Sequence, residues 1–496
     1  MASILIRRLG TLIDIGSGDS TALPADLLRG LQGLLSYQHR IMLRGHERYS
    51  VDGSVRNVDI ETRSLCRLEG CRLVTGVGFL SKVVCWLQQR GCEVWFNDLS
   101  PEKPEGVYTP DFANLQSIMS LRPGQRECLD ALANSQCGIV DATMGFGKTA
   151  LFEMLAHLYP RAVFDILVQG KDIAHTILRR LTRTVPNVGL VGGGKRDFGE
   201  RVTVCIAASA RHMTDRRKTD FLLGDEAHQL VVPSTGSWIT TNWRYSRNFG
   251  FTGTYGKRGD RADAQLELLF GPAIYTLTYP QALKLGLVVP IHVRWLPIRL
   301  ATNPASGRDD VGRKRWGIWR NDGRNQAIAA DIRQHYPDNS QQILVLVATL
   351  EHAVMLWQYL PEFSLCYGGI TRDKVDKYVR SGLLPAGFVA TTPEIRNQLR
   401  QQFETGELRR VIATDVWATG VDFPQLPVLY RADGRGSEIM DAQGPGRVSR
   451  TAEGKVAGKV IDCCDFFDPG FFRMSKSRRR SYTKMGWSQE WPSEGE

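Results

Sequence analysis

The stretch ATMGFGKT, residues 142–149, decides how this 496-residue chain is read. It follows Gly138 to Asp141, which read as the end of a buried strand, and it precedes Ala150 to Leu158, which read as a helix. Gly145 and Gly147 let consecutive backbone N–H groups turn toward a phosphate, and the N-terminus of the following helix adds its dipole. Lys148 is then placed to reach the β- and γ-phosphates of ATP, and the Thr149 hydroxyl to ligate Mg²⁺. Thr143, Met144, Phe146 and Ala150 complete the candidate nucleotide cradle. Ala142 stands where the general pattern has its first glycine. An ordinary Gly-rich turn between strand and helix is the competing reading.

Two further strings supply what such a cradle lacks. Phe221, Leu222 and Leu223 form an apolar run that ends in GDEAHQL, residues 224–230. A carboxylate at the C-terminal end of a parallel strand sits beside the phosphate loop in sheets of this kind. Asp225 can hold Mg²⁺ through water, and Glu226 can orient and deprotonate the attacking water. His228 is not needed for hydrolysis and is expected to couple the site to a neighbouring motif. The third string, QGPGRVSR at 443–450, lies too far along the chain to share a domain with the first two, so the nucleotide is expected between two lobes. Arg447 and Arg450 share one face if the segment is helical, and a guanidinium there stabilises charge on the γ-phosphoryl oxygens. Gln443, one turn earlier, can bond the nucleotide or the water. Upstream, Val411 to Thr414 read as a buried strand that leads into a loop with Asp415, Gly420 and Asp422; the last two join the candidate nucleotide contacts.

With these strings in place, the chain resembles the superfamily 2 DExH-box helicases from about residue 121 to about residue 465. LRPGQ (121–125) resembles the adenine-side motif, with Gln125 the candidate base contact and Arg122 its helper. ILVQGKDIAHTILRRL (166–181) resembles motif Ia, while VGGGKRDF (191–198) and TVCIAAS (203–209) resemble the Ib and Ic region. GFTGTY (250–255), ILVLVATLEHA (343–353) and VIATDVWATGVDFP (411–424) resemble motifs III, IV and V. Within the superfamily, LRPGQ, VGGGKRDF and the final DFFDPGFFRMSKSRRRSYTKMGW are most similar to phage UvsW-like branch-migration helicases and XPB-like DNA repair helicases. The resemblance implies strand contacts at Gly170, Lys171, Gly193, Lys195, Thr349 and Thr414. Three departures stand out. Gln169-Gly170 replaces the usual Pro-Thr or Pro-Ser, and Gly253 replaces an Ala, which is expected to loosen packing. The chain also looks longer than usual between Gly369 and Arg396.

The charge balance, 63 basic against 52 acidic residues for a net +11, favours a polyanionic partner. No apolar run is long enough for a transmembrane helix, and Arg7 and Arg8 follow the first apolar residues in the wrong order for a secretory signal. The ten cysteines are expected as free thiols. Cys66, Cys71, Cys85 and Cys92 raise a zinc site, but they contain no Cys-x-x-Cys pair.

These observations predict an α/β chain: two tandem RecA-like parallel-sheet lobes with a small N-terminal α+β module and a basic C-terminal tail. The expected domains are 1–112 (the accessory module, putting DNA against Arg40 and Arg44), 113–296 and 297–496. The module is expected to hold a helix over Ala25–Leu35, strands or a hairpin within 39–67, a helix around Phe79–Leu87 ended by Gly91, and a strand at Cys92–Phe96. Pro101 to Pro110 reads as a linker to the first lobe. In the tail, Arg478 and Arg479 are expected on phosphates and the aromatics packed inward. The expected function is an ATP- and Mg²⁺-dependent DNA helicase or translocase acting on duplex, forked or branched DNA, with single strands as a further substrate. It would serve replication, recombination or repair beside proteins of that apparatus, away from membranes and in a cytoplasm, that of a bacterial host if phage-encoded. An RNA helicase, the DNA-translocating ATPase subunit of a restriction-type system, and an ATP-gated clamp that does not unwind would use the same ATPase residues. Backbone contacts position a strand without reading its sequence, so these motifs do not separate the alternatives.

Overall fold

The computed structural model of the protein describes residues 2–19, 21–42, 58–213, 218–231, 239–256, 260–368, 372–388, 391–417, 423–436, 441 and 443–493. Arg44, Gly420 and Asp422 lie outside the described residues. The chain divides into two compact units, Met1–Leu277 and Thr278–Glu496. Among the described residues no helix is long and apolar enough to cross a membrane.

The first unit opens with a five-stranded sheet in the order Cys66–Glu69, Arg72–Gly76, Leu12–Ser17, Ser3–Leu9, Glu93–Asp98. All neighbours are antiparallel except the last pair. Alternation sends Ile4, Ile6, Ile13 and Ile15 to one face, where they pack on Leu27 and Leu31 of the helix Ala25–Leu34 and on Val83 and Leu87 of the helix Leu80–Gln88. A separate hairpin pairs Ser36–Met42 with Val58–Ser64. The first two strands are absent from the expectation above, although they form a plain hairpin around a two-residue turn with Gly10 at φ 69°.

The Pro-rich stretch 101–110 is packed, contrary to its reading as a linker. Lys103 Nζ lies 2.8 Å from Asp220 Oδ1, and Tyr108 stands edge-on to Phe221 beneath the Arg247 guanidinium. The module also abuts the helix Asp263–Phe270. A Cβ at Gly78 would lie 2.1 Å from the Glu267 carbonyl oxygen, so only glycine permits that approach. The module therefore belongs to the same compact unit as the sheet that follows.

That sheet has eight strands in the order Lys195–Asp197, Gly189–Gly192, Val202–Ile206, Phe164–Val168, Phe221–Gly224, Arg247–Thr252, Cys137–Ala142, Ala273–Leu277. Every pair is parallel except the first. Its central strands read as continuous apolar runs because helices cover both faces. The loops at their C-terminal ends carry ATMGFGKT and DEAH together, at the edge where α/β sheets place ligands.

The second unit holds a seven-stranded sheet in which all pairs are parallel: Ser364–Cys366, Arg410–Ala413, Ile343–Leu346, Val428–Arg431, Gly458–Asp465, Ile291–Ile298, Ser488–Glu490. Ile291–Ile298 pairs along its whole length with Gly458–Asp465. The expected division between 296 and 297 would cut this strand at its end, so the boundary moves back to Leu277/Thr278. The extra segment after Gly369 contains a helix, Arg372–Arg380, whose Val375 reaches the core together with Leu384. The basic tail is an ordered helix, Pro469–Lys484, started by Pro469 and by Asp468, whose side chain accepts from the Gly470 and Phe471 N–H groups.

Candidate nucleotide site

The loop that opens the first unit's site is held from behind. Gln125 is fully buried; its Oε1 accepts from the Arg122 N–H at 2.8 Å and its Nε2 donates to the Phe146 carbonyl at 3.0 Å. Arg122 Nη1 donates to the Gly145 carbonyl at 3.3 Å. Both residues expected to face an adenine thus also brace the phosphate loop. Phe146 stacks on Tyr275 at 5.6 Å, and the Tyr275 hydroxyl donates to the Gly124 carbonyl. Gly147 has φ 89° just ahead of the helix Lys148–Leu158, and a Cβ there would approach Gln125 Nε2 to 3.1 Å. The loop shape therefore depends on glycine at that position.

Lys148 Nζ donates to the Ala142 carbonyl at 2.9 Å, across the mouth of the loop. Gly253 of GFTGTY presses on this bond: a Cβ would fall 2.9 Å from that carbonyl oxygen and 3.5 Å from Lys148 Nζ. Glycine here gives close approach rather than the loosened packing expected from the sequence.

Asp225 is buried beside Glu226 and Lys148. Burial and the Glu226 charge push its carboxyl up to about 7, against the pull of Lys148. A carboxylate this starved of solvent is well prepared to bind a hard cation, and Thr149 supplies a neutral oxygen on the adjacent helix. Among the described residues no three His, Cys, Asp or Glu side chains gather as a metal cage. Mg²⁺ needs only one or two protein oxygens when phosphates and water supply the rest. Glu226 sits at φ 43°, ψ 52°, a left-handed conformation that costs a non-glycine residue about 1–3 kcal/mol. His228 Nδ1 lies 3.0 Å from Thr252 Oγ1 and 3.4 Å from Glu226 Oε2, and Thr252 Oγ1 lies 3.1 Å from Thr254 Oγ1. The DEAH histidine is thereby wired to GFTGTY. Gln169 Nε2 donates to the Gln229 carbonyl at 2.6 Å, tying motif Ia to the same turn. Gln169, Thr252 and Thr254 are not among the residues expected to be functional, although all three fall inside the strings that resemble motifs Ia and III.

Of the candidate strand contacts in this unit, Gly170 caps the helix Lys171–Leu181, and a Cβ at Gly193 would lie 3.3 Å from Lys171 Cε. Lys171 and Lys195 are exposed, so the fold brings a small basic edge together at the ends of Phe164–Val168 and Gly189–Gly192. Arg40 is exposed on the module's hairpin, and its N–H donates to the Asp260 carbonyl.

In the second unit, Pro445–Ser449 is a 3-10 turn with Arg447 buried inside it. Arg450 leaves the turn extended and bridges Val288. The two arginines therefore do not lie on one α-helical face. Gln443 is buried just before the turn. Thr349 caps the helix Leu350–Trp357, and Thr414 is nearly buried at the end of Arg410–Ala413. Arg435 joins those two loops: it donates to Asp415 Oδ2 at 2.6 Å and to the Ala348 carbonyl at 2.7 Å. Arg478, expected on a phosphate, is fully buried with its Nε 3.0 Å from Asp462 Oδ2, so it is unavailable to nucleic acid. Arg479 is exposed and lies over the Trp491 ring.

Comparison with known proteins agrees with this geometry. Residues 118–257 match the family described as type III restriction enzyme, res subunit. The DNA 3'-5' helicase XPB of Kineococcus radiotolerans is 24% identical over 350 residues, 67% of this chain and 57% of that protein. The DNA 3'-5' translocase XPB2 of Sulfurisphaera tokodaii is likewise 24% identical, over 68% of this chain and 80% of that protein. The chain thus spans less than two thirds of the first relative and most of the second. Dbp5 of S. cerevisiae, in a structure bound to RNA and ADP BeF3, aligns over 76% of this chain at TM-score 0.51 and 15% identity. That likeness concerns the fold alone, two RecA-like parallel-sheet lobes.

Proposed function

We propose that this chain is a superfamily 2 nucleic-acid-stimulated ATPase that moves on and remodels duplex or branched DNA. The observation that carries the reading is the braced phosphate loop beside a buried Asp225 and a left-handed Glu226, wired through His228 to GFTGTY. Lys148 exchanges its bond to the Ala142 carbonyl for phosphate oxygens, while Thr149 and Asp225 are the residues that would hold Mg²⁺. When bound, the metal supplies charge neutralisation on the phosphates. Glu226 accepts the proton of the attacking water, and Arg447 with Arg450 stabilises the charge spreading over the γ-phosphoryl oxygens. Gln443 orients the nucleotide or the water.

The His228–Thr252–Thr254 chain gives the ATPase turn a direct route to motif III, and Gln169 gives it one to the Lys171 edge that would grip a strand. Binding of a strand and turnover of ATP can then bias one another. DNA is preferred over RNA because two curated relatives are described as a DNA 3'-5' helicase and a DNA 3'-5' translocase. Strand displacement on forked DNA, a four-way junction and an RNA duplex tests this, run beside displacement of a bound protein block. ATP-dependent opening of the DNA substrates supports the reading. Activity on RNA alone would overturn the DNA assignment, and block removal without unwinding would make the chain a translocating clamp.

A further inference from the structure

Beneath the Gln443–Arg450 segment the second unit buries a charged network that the nucleotide chemistry does not itself require. Arg431 ends the strand Val428–Arg431 and is 2% exposed. Its Nη1 donates to Asp441 Oδ1 at 2.6 Å and to the Tyr482 hydroxyl at 2.8 Å, its Nε to Asp433 at 3.1 Å, and its Nη2 to the Arg435 carbonyl at 2.8 Å. The Tyr482 hydroxyl donates in turn to Asp462 Oδ2 at 2.8 Å, which also faces Arg478. Two arginines and three carboxylates are thus sealed from water, along with one tyrosine.

Such a network is a poor way to gain stability, because apolar side chains of the same volume usually do as well or better. What it provides is fixed geometry, since a guanidinium fork holds its partners in direction as well as distance. Asp441 stands two residues before Gln443, so the fork fixes where the arginine segment begins. The same guanidinium holds the carbonyl of Arg435, whose own side chain clasps Asp415 and the Ala348 carbonyl. We infer that Arg431 and Tyr482 are positioning residues for the Gln443–Arg450 segment, through which the Pro469–Lys484 helix sets the placement of the arginines that act on ATP. This rests on the reading of Arg447 and Arg450 given above.

The test compares Tyr482→Phe with Tyr430→Phe in the full-length chain. The Tyr430 hydroxyl donates to Asp331 Oδ2 at 2.6 Å, a bond of the same kind at similar depth that is made to a carboxylate outside the Arg431–Asp441–Tyr482 network. Melting temperature, the KM for ATP and kcat with saturating DNA are measured for both. The expected result is a similar small loss of melting temperature in the two variants. Only Tyr482→Phe should lose kcat, on the order of tenfold, with KM for ATP within a factor of about two, as misplacement of a group acting in the transition state predicts. Asp441→Asn, which keeps an acceptor oxygen and removes the charge, should repeat that pattern. Equal kcat in the two Phe variants, whether both fall or neither does, would overturn the inference. A wild-type chain that hydrolyses no ATP with any nucleic acid removes the reading of the arginines, and the inference with it.

Discussion

Gln125→Ala separates two roles that the same residue can have. In the structure both ends of the Gln125 amide are occupied by backbone: the Arg122 N–H at 2.8 Å and the Phe146 carbonyl at 3.0 Å. Phe146 is fully buried, so its carbonyl loses its donor without gaining water, which costs about 1–3 kcal/mol. Arg122 is exposed, and water can replace the lost acceptor there for a net cost of about 0.5–1.5 kcal/mol. The sum is about 1.5–4.5 kcal/mol, felt before any nucleotide binds. For a unit spanning Met1–Leu277, at the large end of the size scale, each kcal/mol moves the melting temperature by roughly 2 °C. Differential scanning calorimetry without nucleotide should therefore show a fall of about 3–9 °C. Gln125→Glu should be no milder at neutral pH, because a carboxylate oxygen then faces the Phe146 carbonyl. It should recover in part at lower pH, where the carboxyl can donate. If Gln125 served only to read the base, the nucleotide-free melting temperature would stay within about 1 °C, below one kcal/mol on this scale. The loss would then appear only as poorer discrimination of ATP from GTP, and the bracing argument would be wrong.

Other changes have equally definite expected outcomes. His352 is fully buried, and desolvation, with help from Arg324 and Arg435, holds its pKa well below the ordinary value. The folded chain therefore refuses a proton that the unfolded chain accepts. This contribution to stability is intact above about pH 6.5 and is lost as pH falls below it, by up to about 1.4 kcal/mol per pH unit. His352→Gln should flatten the acid limb of a urea-denaturation series by that slope, and an unchanged limb would refute the assignment. Arg478→Met leaves Asp462 short of its main partner and should destabilise by about 3–5 kcal/mol while leaving the salt dependence of DNA binding unchanged. Arg479→Ala should do the reverse, with little loss of stability and a log–log salt slope reduced by about one. Gly78→Ala drives a methyl into the Glu267 carbonyl at 2.1 Å and should wedge the N-terminal sheet away from the helix Asp263–Phe270. Limited proteolysis should then cut faster within residues 101–110, and cleavage at the wild-type rate would contradict the docked junction.

Much of the site was readable from local pattern because its chemistry is local. The phosphate loop needs strand, glycines and helix in sequence, and DEAH needs only a short apolar strand before it. Where the reading went astray, distant partners made the decision. Arg478 looks like any surface arginine until Gly458–Asp465 puts Asp462 beside it. The strand Ile291–Ile298 shows its period without showing which sheet it joins, and its partner lies far along the chain. Pro101–Pro110 has the composition of a linker, yet Lys103 and Tyr108 find Asp220, Phe221 and Arg247 waiting on the first lobe. The hairpin Ser3–Ser17 is the exception. Its Ile4, Ile6, Ile13 and Ile15 alternate plainly around Gly10 and were open to a direct reading. For Gly253, motif comparison pointed to looser packing, while the Ala142 carbonyl behind it shows the opposite.

In the proposed function the first unit turns over ATP through Lys148, Asp225 and Glu226. Its most direct test is phosphate release by the wild-type chain, with and without DNA at one fixed salt concentration, beside Lys148→Ala and Glu226→Gln. The expected result is DNA-stimulated turnover in the wild type and a loss on the order of a hundredfold or more in both variants. Glu226→Gln should still bind ATP, whereas Lys148→Ala should not. A wild-type chain that releases no phosphate, or a Glu226→Gln chain that keeps its rate, would contradict it.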